Sequence, residues 1–212
     1  MADQIKPILY SFRRCPYAMR ARMSIVRAGL VCEHREVILR DRPEHMMEIS
    51  PKGTVPVMLL SNGQVIEESL EIMQYAANWT LTDLDSHWVN RNDHEFKFHL
   101  DRYKYPNRYD NVEALEQRDL AKKYLDDLDL LLLETLPIEL NDALFPFVRQ
   151  FANHDREWFD KQQWDNLGQW LADNLSSQEF KICMRKYPQW FTGDAPVTCL
   201  LYTSDAADDG LS

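Results

Sequence analysis

The chain has 212 residues, 45% of them hydrophobic, and a formal net charge of −10, which suffices for one large domain or two smaller ones with real cores. Such acidity argues against a nucleic-acid backbone or an anionic membrane surface as the main partner, and there is no basic stripe. No apolar run approaches the roughly 20 residues of a membrane-spanning helix, the start "MADQIKPILY" lacks a long apolar signal region, and Cys15, Cys32, Cys183 and Cys199 show neither CxxC nor zinc-finger spacing, so free thiols in a reducing cytoplasm, with no metal site, are expected.

Ile8 to Phe12, "ILYSF", is a short β-prone run. After it, Pro16 suits the first position of a helix, because its missing N–H would have no partner there. The helix carries apolar Met19, Met23 and Val26, flanked by Ala18, Ala21 and Ile25, with Arg20, Arg22 and Arg27 at the other positions, and ends near Gly29; the pattern predicts an amphipathic helix. Cys15 therefore sits on a strand-to-helix turn, at the positive helix end and beside Arg13 and Arg14, a setting that favours thiolate. Arg35 to Leu39 reads as a strand and Pro43 to Ile49 as a short helix. Val55 to Leu60 and Gln64 to Glu67, joined across Ser61, Asn62 and Gly63, read as an antiparallel hairpin, and a helix follows from Ser69 to Trp79. The order is βαβ-α-ββα, an α/β unit over residues 1–78.

Residues 79–86 lack apolar periodicity and read as a linker. Beyond them long amphipathic stretches predict an all-helical domain over 87–198: His87 to Tyr109, bent at Pro106; Leu115 to Leu132, followed by the terminating Pro137; Asp142 to Asn153; Lys161 to Leu175; and Gln178 to Tyr187. Residues 199–212, "CLLYTSDAADDGLS", read as a non-native or disordered tail.

Three segments carry candidate chemistry. Cys15 alone could be a small packing residue, and position 18, where a dithiol motif would carry its second cysteine, is Ala18, so redox chemistry here would be monothiol. In "GTVPV", Pro56 at the start of a strand marks an edge or turn; alternatively a cis Val55–Pro56 bond would present the Val55 N–H and C=O to a peptide-like ligand. In "IEESLEI", Ser69 either caps a helix whose dipole Glu67, Glu68 and Glu71 satisfy, or donates to a carboxylate at the helix start while Glu68 accepts from an ammonium group.

Thiol before a helix, VP at a strand start and ES at a later helix start together resemble the glutathione transferase superfamily. "CPYAMRAR" is similar to the CPY/CPF segment of its cysteine-containing, glutaredoxin-like classes, of which Omega is the best-known example, and "ILRDRPEHMMEISPKGTVPV" resembles the same class. "LFPFVRQFA", Leu144 to Ala152, is similar to the helical C-terminal domain of bacterial members. The resemblance implies a thioredoxin-like N-terminal domain and an all-α C-terminal domain. It implies glutathione as substrate, without a tightly bound cofactor: sulfur at Cys15, backbone pairing at Val55 beside Pro56, the γ-glutamyl end on Glu68 and Ser69, and Arg42 where the Omega pattern has a lysine near the glycyl carboxylate. One departure is Glu139, where the family's capping box has Ser or Thr three residues before Asp142.

The activity implied is glutathione-dependent thiol transfer, as deglutathionylation or dehydroascorbate-type reduction, through a mixed disulfide on Cys15. The alternatives are conjugation of electrophiles, with Tyr10 or Ser11 as hydroxyl donor, and a non-enzymatic interaction module of the same fold. His99, Tyr103 and Tyr109 lie on the helix that lines the acceptor pocket in related enzymes, with a packing role as the alternative. The expected partners are glutathione and a small electrophilic or disulfide acceptor, with neither nucleic acid nor membrane; a homodimer is compatible with the resemblance.

Overall fold

The structure, a computed structural model, describes residues 6–199, the last by its backbone alone. In chain order the helices are α1 (Pro16–Arg27), α2 (Glu44–Ile49), α3 (Ser69–Ala77), α4 (Asp83–Asn90), α5 (Lys97–Lys104), α6 (Ala114–Leu131), α7 (Ile138–Ala152), α8 (Arg156–Asp160), α9 (Asp165–Ser176) and α10 (Gln178–Cys183). The strands are β1 (Ile8–Ser11), β2 (Cys32–Glu36), β3 (Val57–Leu59), β4 (Val65–Ile66) and β5 (Val197–Cys199). The described residues divide into two compact units, 6–79 together with 178–199, and Thr80–Ser177.

The first unit is built on a mixed sheet of order β4-β3-β1-β2-β5. β1 runs parallel to β2, with Leu9 opposite His34 and Ser11 opposite Glu36, and antiparallel to β3, with Tyr10 opposite Val57. Period-2 alternation sends successive residues to opposite faces. Leu9 and Met58 join Ala21, Ile25 and Ile72 in one core, whereas Tyr10 and Val57 join Val37, Met46 and Trp190 in the other. The arrangement is the expected thioredoxin-like βαβ-α-ββα. β2 lies earlier than the predicted Arg35 to Leu39, because pairing with β1 recruits the polar run "CEHRE", whose Cys32 and His34 are buried; Ile38 instead forms a bridge with Asp41.

The expected polar face of α1 is absent. Every residue from Ala18 to Val26 is buried, Arg20 and Arg22 included. Ser24 donates to Met73 O of α3 and Arg22 to Cys183 O of α10, so this helix is covered on both flanks by polar contacts as well as apolar ones. It closes with Leu30 N–H on Ile25 O and Gly29 N–H on Val26 O, a Schellman pair that Gly29 permits at φ 63°.

Residues 178–199 depart from the expectation of a single helical domain over 87–198, since they group with the first unit. Ile182 enters its core, Tyr187 packs on His34 at 4.6 Å, Trp190 N–H donates to Glu36 O at 2.8 Å, and β5 extends the sheet. Cys199, expected to open the tail, instead belongs to β5, and the rest of that predicted segment, 200–212, lies outside the described residues.

In the second unit the expected linker already contains the start of α4. Thr82 and Asp85 form a reciprocal capping box, Asp85 N–H on Thr82 Oγ1 and Thr82 N–H on Asp85 Oδ2. The predicted helix over His87 to Tyr109 is instead α4, a π-helical stretch over Arg91–Phe96, and α5, which ends before Pro106, the residue that restricts Tyr105. α7 opens at Ile138, with Pro137 in the capping position and no side-chain cap, so the box that Glu139 disrupts is replaced by an earlier start. Its Phe145, Phe147 and Phe151 are buried, and Asn141, Asn174 and Trp170 share a hydrogen-bond cluster. Among the described residues no helix is long and apolar enough to cross a membrane, and no group of three His, Cys, Asp or Glu is arranged to hold a metal ion.

Candidate functional site

The local sequence around Cys15 makes a tight turn. Cys15 N–H donates to Phe12 O at 3.0 Å, closing residues 12–15, and Pro16 then starts α1. Cys15 is the N-cap, in an extended conformation (φ −74°, ψ 124°), half-buried, so its sulfur lies where free N–H groups and the helix dipole favour negative charge. The turn is held from below: Arg22 donates to Ser11 Oγ, Phe12 O and Arg13 O, while Arg13 N–H donates to Glu36 Oε1 at 2.7 Å.

Cys15 and Val55 are brought together, with the sulfur donating to Val55 O at 3.7 Å. The Val55–Pro56 peptide is cis. Gly53, at φ 62°, begins this loop; a Cβ there would stand 3.3 Å from Arg42 Nε and 3.2 Å from the Met47 sulfur, so only glycine fits without displacement. Arg42, largely exposed, thus lies beside the loop that carries Val55. It also lines a small cleft of about 200 Å³ with Asp41, Gln189, Trp190 and Thr192.

Glu68 is the N-cap of α3 and Ser69 its first residue. Ser69 is 3% exposed and its hydroxyl accepts from Arg20 Nε at 2.9 Å, which leaves its O–H to donate. Glu68, well exposed, pairs with Lys52, whose pKa its hydrogen bond raises. The neighbouring Glu67 accepts from the fully buried Ser50 hydroxyl at 2.5 Å, tying the α2 end to the segment before α3. Sequence reasoning missed Arg20, Arg22, Ser50 and Lys52. The arginines offered one signal, two charges spaced among α1's apolar positions; Ser50 and Lys52 sit in a loop whose partners only folding reveals.

The two hydroxyls considered for conjugation are both sealed in. Tyr10 Oη lies 2.5 Å from Arg35 Nη1 and 2.6 Å from His45 Nδ1, and burial raises its pKa. The Ser11 hydroxyl is held by Arg22. In the second unit, His99 Nδ1 lies 2.8 Å from Gln117 Oε1, and Tyr103 is buried against Phe151 and His154 with its hydroxyl 3.5 Å from Asp155. Tyr109 stacks under Arg102. All three have partners within their own unit.

Residues 9–79 match the family model described as the N-terminal domain of glutathione S-transferase. The chain is 42% identical over 55 residues to a probable glutathione transferase of Aplysia californica, covering 26% of this chain and 60% of that protein. It is 36% identical over 67 residues to glutathione S-transferase omega-1 of Mus musculus, covering 32% and 28%. The matched segments thus span less than two thirds of either relative. A solved glutathione transferase family member from Pseudomonas fluorescens, with two glutathione bound, superposes with a TM-score of 0.71 at 16% identity, over 87% of this chain and 94% of that one, a likeness of fold.

Proposed function

We propose that this chain, whose residues 9–79 match the N-terminal domain of glutathione S-transferase, is a glutathione-dependent thiol transferase acting through Cys15. The observation that carries the reading is the placement of the Cys15 sulfur at the α1 N-cap and 3.7 Å from Val55 O. In the proposed cycle the Cys15 thiolate attacks the glutathione sulfur of a mixed disulfide, forming Cys15–S–SG and releasing the acceptor as its thiolate. A second glutathione thiolate then attacks this disulfide, yielding glutathione disulfide and restoring the Cys15 thiolate. With Ala18 where a resolving cysteine would stand, the second thiol comes from solution.

Under this reading the peptide-like body of glutathione pairs with Val55, taking over the carbonyl that the thiol now occupies and freeing the sulfur. Its ammonium meets Glu68, one carboxylate meets the Ser69 O–H and the start of α3, and the glycyl carboxylate meets Arg42. Burial of Tyr10 and Ser11 supports Cys15 over the conjugating alternative. Cys15, Cys32 and Cys183 are thiols rather than disulfide partners, which supports a reducing, cytoplasmic setting. A homodimer is the assembly we expect.

Parallel assays of the parent and Cys15→Ser on a glutathione mixed disulfide and on an aryl halide test the reading. Thiol transfer should vanish in the variant while glutathione still binds. Conjugation as the main activity, undiminished by the substitution, would overturn it.

A further inference from the structure

Arg22 carries a permanent charge yet is 1% exposed. A helix position this deep would be filled at least as stably by an apolar side chain, since burying a charge costs more than its contacts usually return. What the guanidinium does there is specific. Its Nη1 donates to Ser11 Oγ at 2.5 Å and to Phe12 O at 3.3 Å, its Nη2 to Arg13 O at 2.8 Å, and its Nε to Cys183 O at 3.2 Å. Three of these four bonds end on the residues immediately before the Cys15 turn closes. Phe12 O is also the acceptor of Cys15 N–H, so Arg22 and the Cys15 amide share one oxygen. Glu36 Oε1 takes Arg13 N–H and, through Oε2, Glu36 contacts His34 Nε2 at 3.1 Å.

We propose that Arg22 is the positioning residue of the Cys15 site: its planar fork fixes the Phe12 and Arg13 carbonyls, and through them sets where the Cys15 sulfur stands at the start of α1. The proposal rests on the thiol-transfer reading of Cys15. Arg22 neither touches the sulfur in the described contacts nor is assigned any contact with glutathione. Lysine cannot replace it, because an ammonium is a point charge without the fork that spans two successive carbonyls. Its fourth bond joins the turn to the end of α10, so the C-terminal segment braces the same loop.

The test uses the full chain with Arg22→Lys, Arg22→Met and the milder Ser11→Ala, each checked for folding by circular dichroism. The first readout is the pH dependence of iodoacetamide alkylation at Cys15, located by peptide mapping, which needs no glutathione. The second is kcat and KM for glutathione with a glutathione mixed disulfide. For both Arg22 variants the alkylation midpoint should move to higher pH. Their kcat should fall by about ten- to a hundredfold, the scale of a reacting group displaced by up to 1 Å. KM for glutathione should change by less than about twofold, since binding groups are untouched. Ser11→Ala should move both readouts in the same direction by less. A folded Arg22 variant with the parent's alkylation profile and kcat overturns the proposal, even if its melting temperature drops, because Arg22 is then only structural. Should neither Arg22 variant fold, an unshifted Ser11→Ala overturns it. If the parent itself shows no thiol transfer, the functional reading fails, and the alkylation profiles still decide the role of Arg22.

Discussion

Arg20 of α1 donates from Nε to the hydroxyl of Ser69 at the start of α3, at 2.9 Å, with both residues nearly sealed from solvent. The bond orients the one hydroxyl that the proposed γ-glutamyl site relies on. Ser69→Ala should weaken glutathione binding by about 1–3 kcal/mol, the range for a hydrogen bond to a charged group, and should also lower stability by removing a buried partner of Arg20. Isothermal calorimetry and urea denaturation separate the two effects. Unchanged affinity with lowered stability would leave Ser69 as a helix-start residue alone.

Glu68 and Lys52 are the exposed counterpart. Their ion pair is well solvated, so Lys52→Ala should change stability by less than about 1 kcal/mol. Glu68→Gln, in contrast, should weaken glutathione binding, because it removes the charge proposed to meet the ligand ammonium. A Glu68→Gln protein that binds glutathione as the parent does would remove Glu68 from the site.

Much of this site was legible in the chain. Pro16 after Cys15, "VPV" and "ES" each marked a local backbone event with a physical cause, and the α/β order followed from short β-prone runs between helical ones. The buried arginines were not legible, because helical periodicity assigns charged residues to solvent, whereas here α3 and α10 pack against α1 and the turn at residues 11–13 takes up the Arg22 guanidinium. The position of β2 was misread for a related reason: "CEHRE" is polar by composition, but its pairing with β1 buries Cys32 and His34. The return of residues 178–199 to the first unit is a long-range event that no local pattern announces.

That return should matter for stability. Trp190 is 7% exposed, joins the core with Tyr10, Val37 and Met46, and lies 4.0 Å beneath the Arg35 guanidinium. Trp190→Ala should cost about 3–5 kcal/mol, as for other large aromatic truncations in cores. Chemical denaturation followed by circular dichroism measures this, and a loss below about 1 kcal/mol would mean that the C-terminal segment contributes little.

Stability should also decline in mild acid. Burial is the largest influence on His34 and lowers its pKa from 6.5, opposed by its contact with Glu36. The unfolded chain therefore takes up a proton near 6.5 while the folded chain stays neutral to lower pH. The unfolded state binds more protons in that window, so stability falls as pH drops from 6.5 toward the folded-state value. His154, lowered chiefly by burial as well, acts in the same sense. His34→Gln should flatten this decline, leaving the His154 share, when urea midpoints at about pH 7.5 and about pH 5.5 are compared. An equally steep decline in the variant would remove His34 as its source.

The central claim is that Cys15 forms the mixed disulfide, and intact-mass analysis after incubation with oxidised glutathione tests it most directly. One reducible glutathione adduct should form on the parent, mapping to Cys15 by peptide analysis. Cys15→Ser should carry none at that position and lose thiol transfer, because a serine hydroxyl cannot form a disulfide. An adduct on Cys32 or Cys183 of the parent, with full thiol transfer retained by Cys15→Ser, would contradict the account.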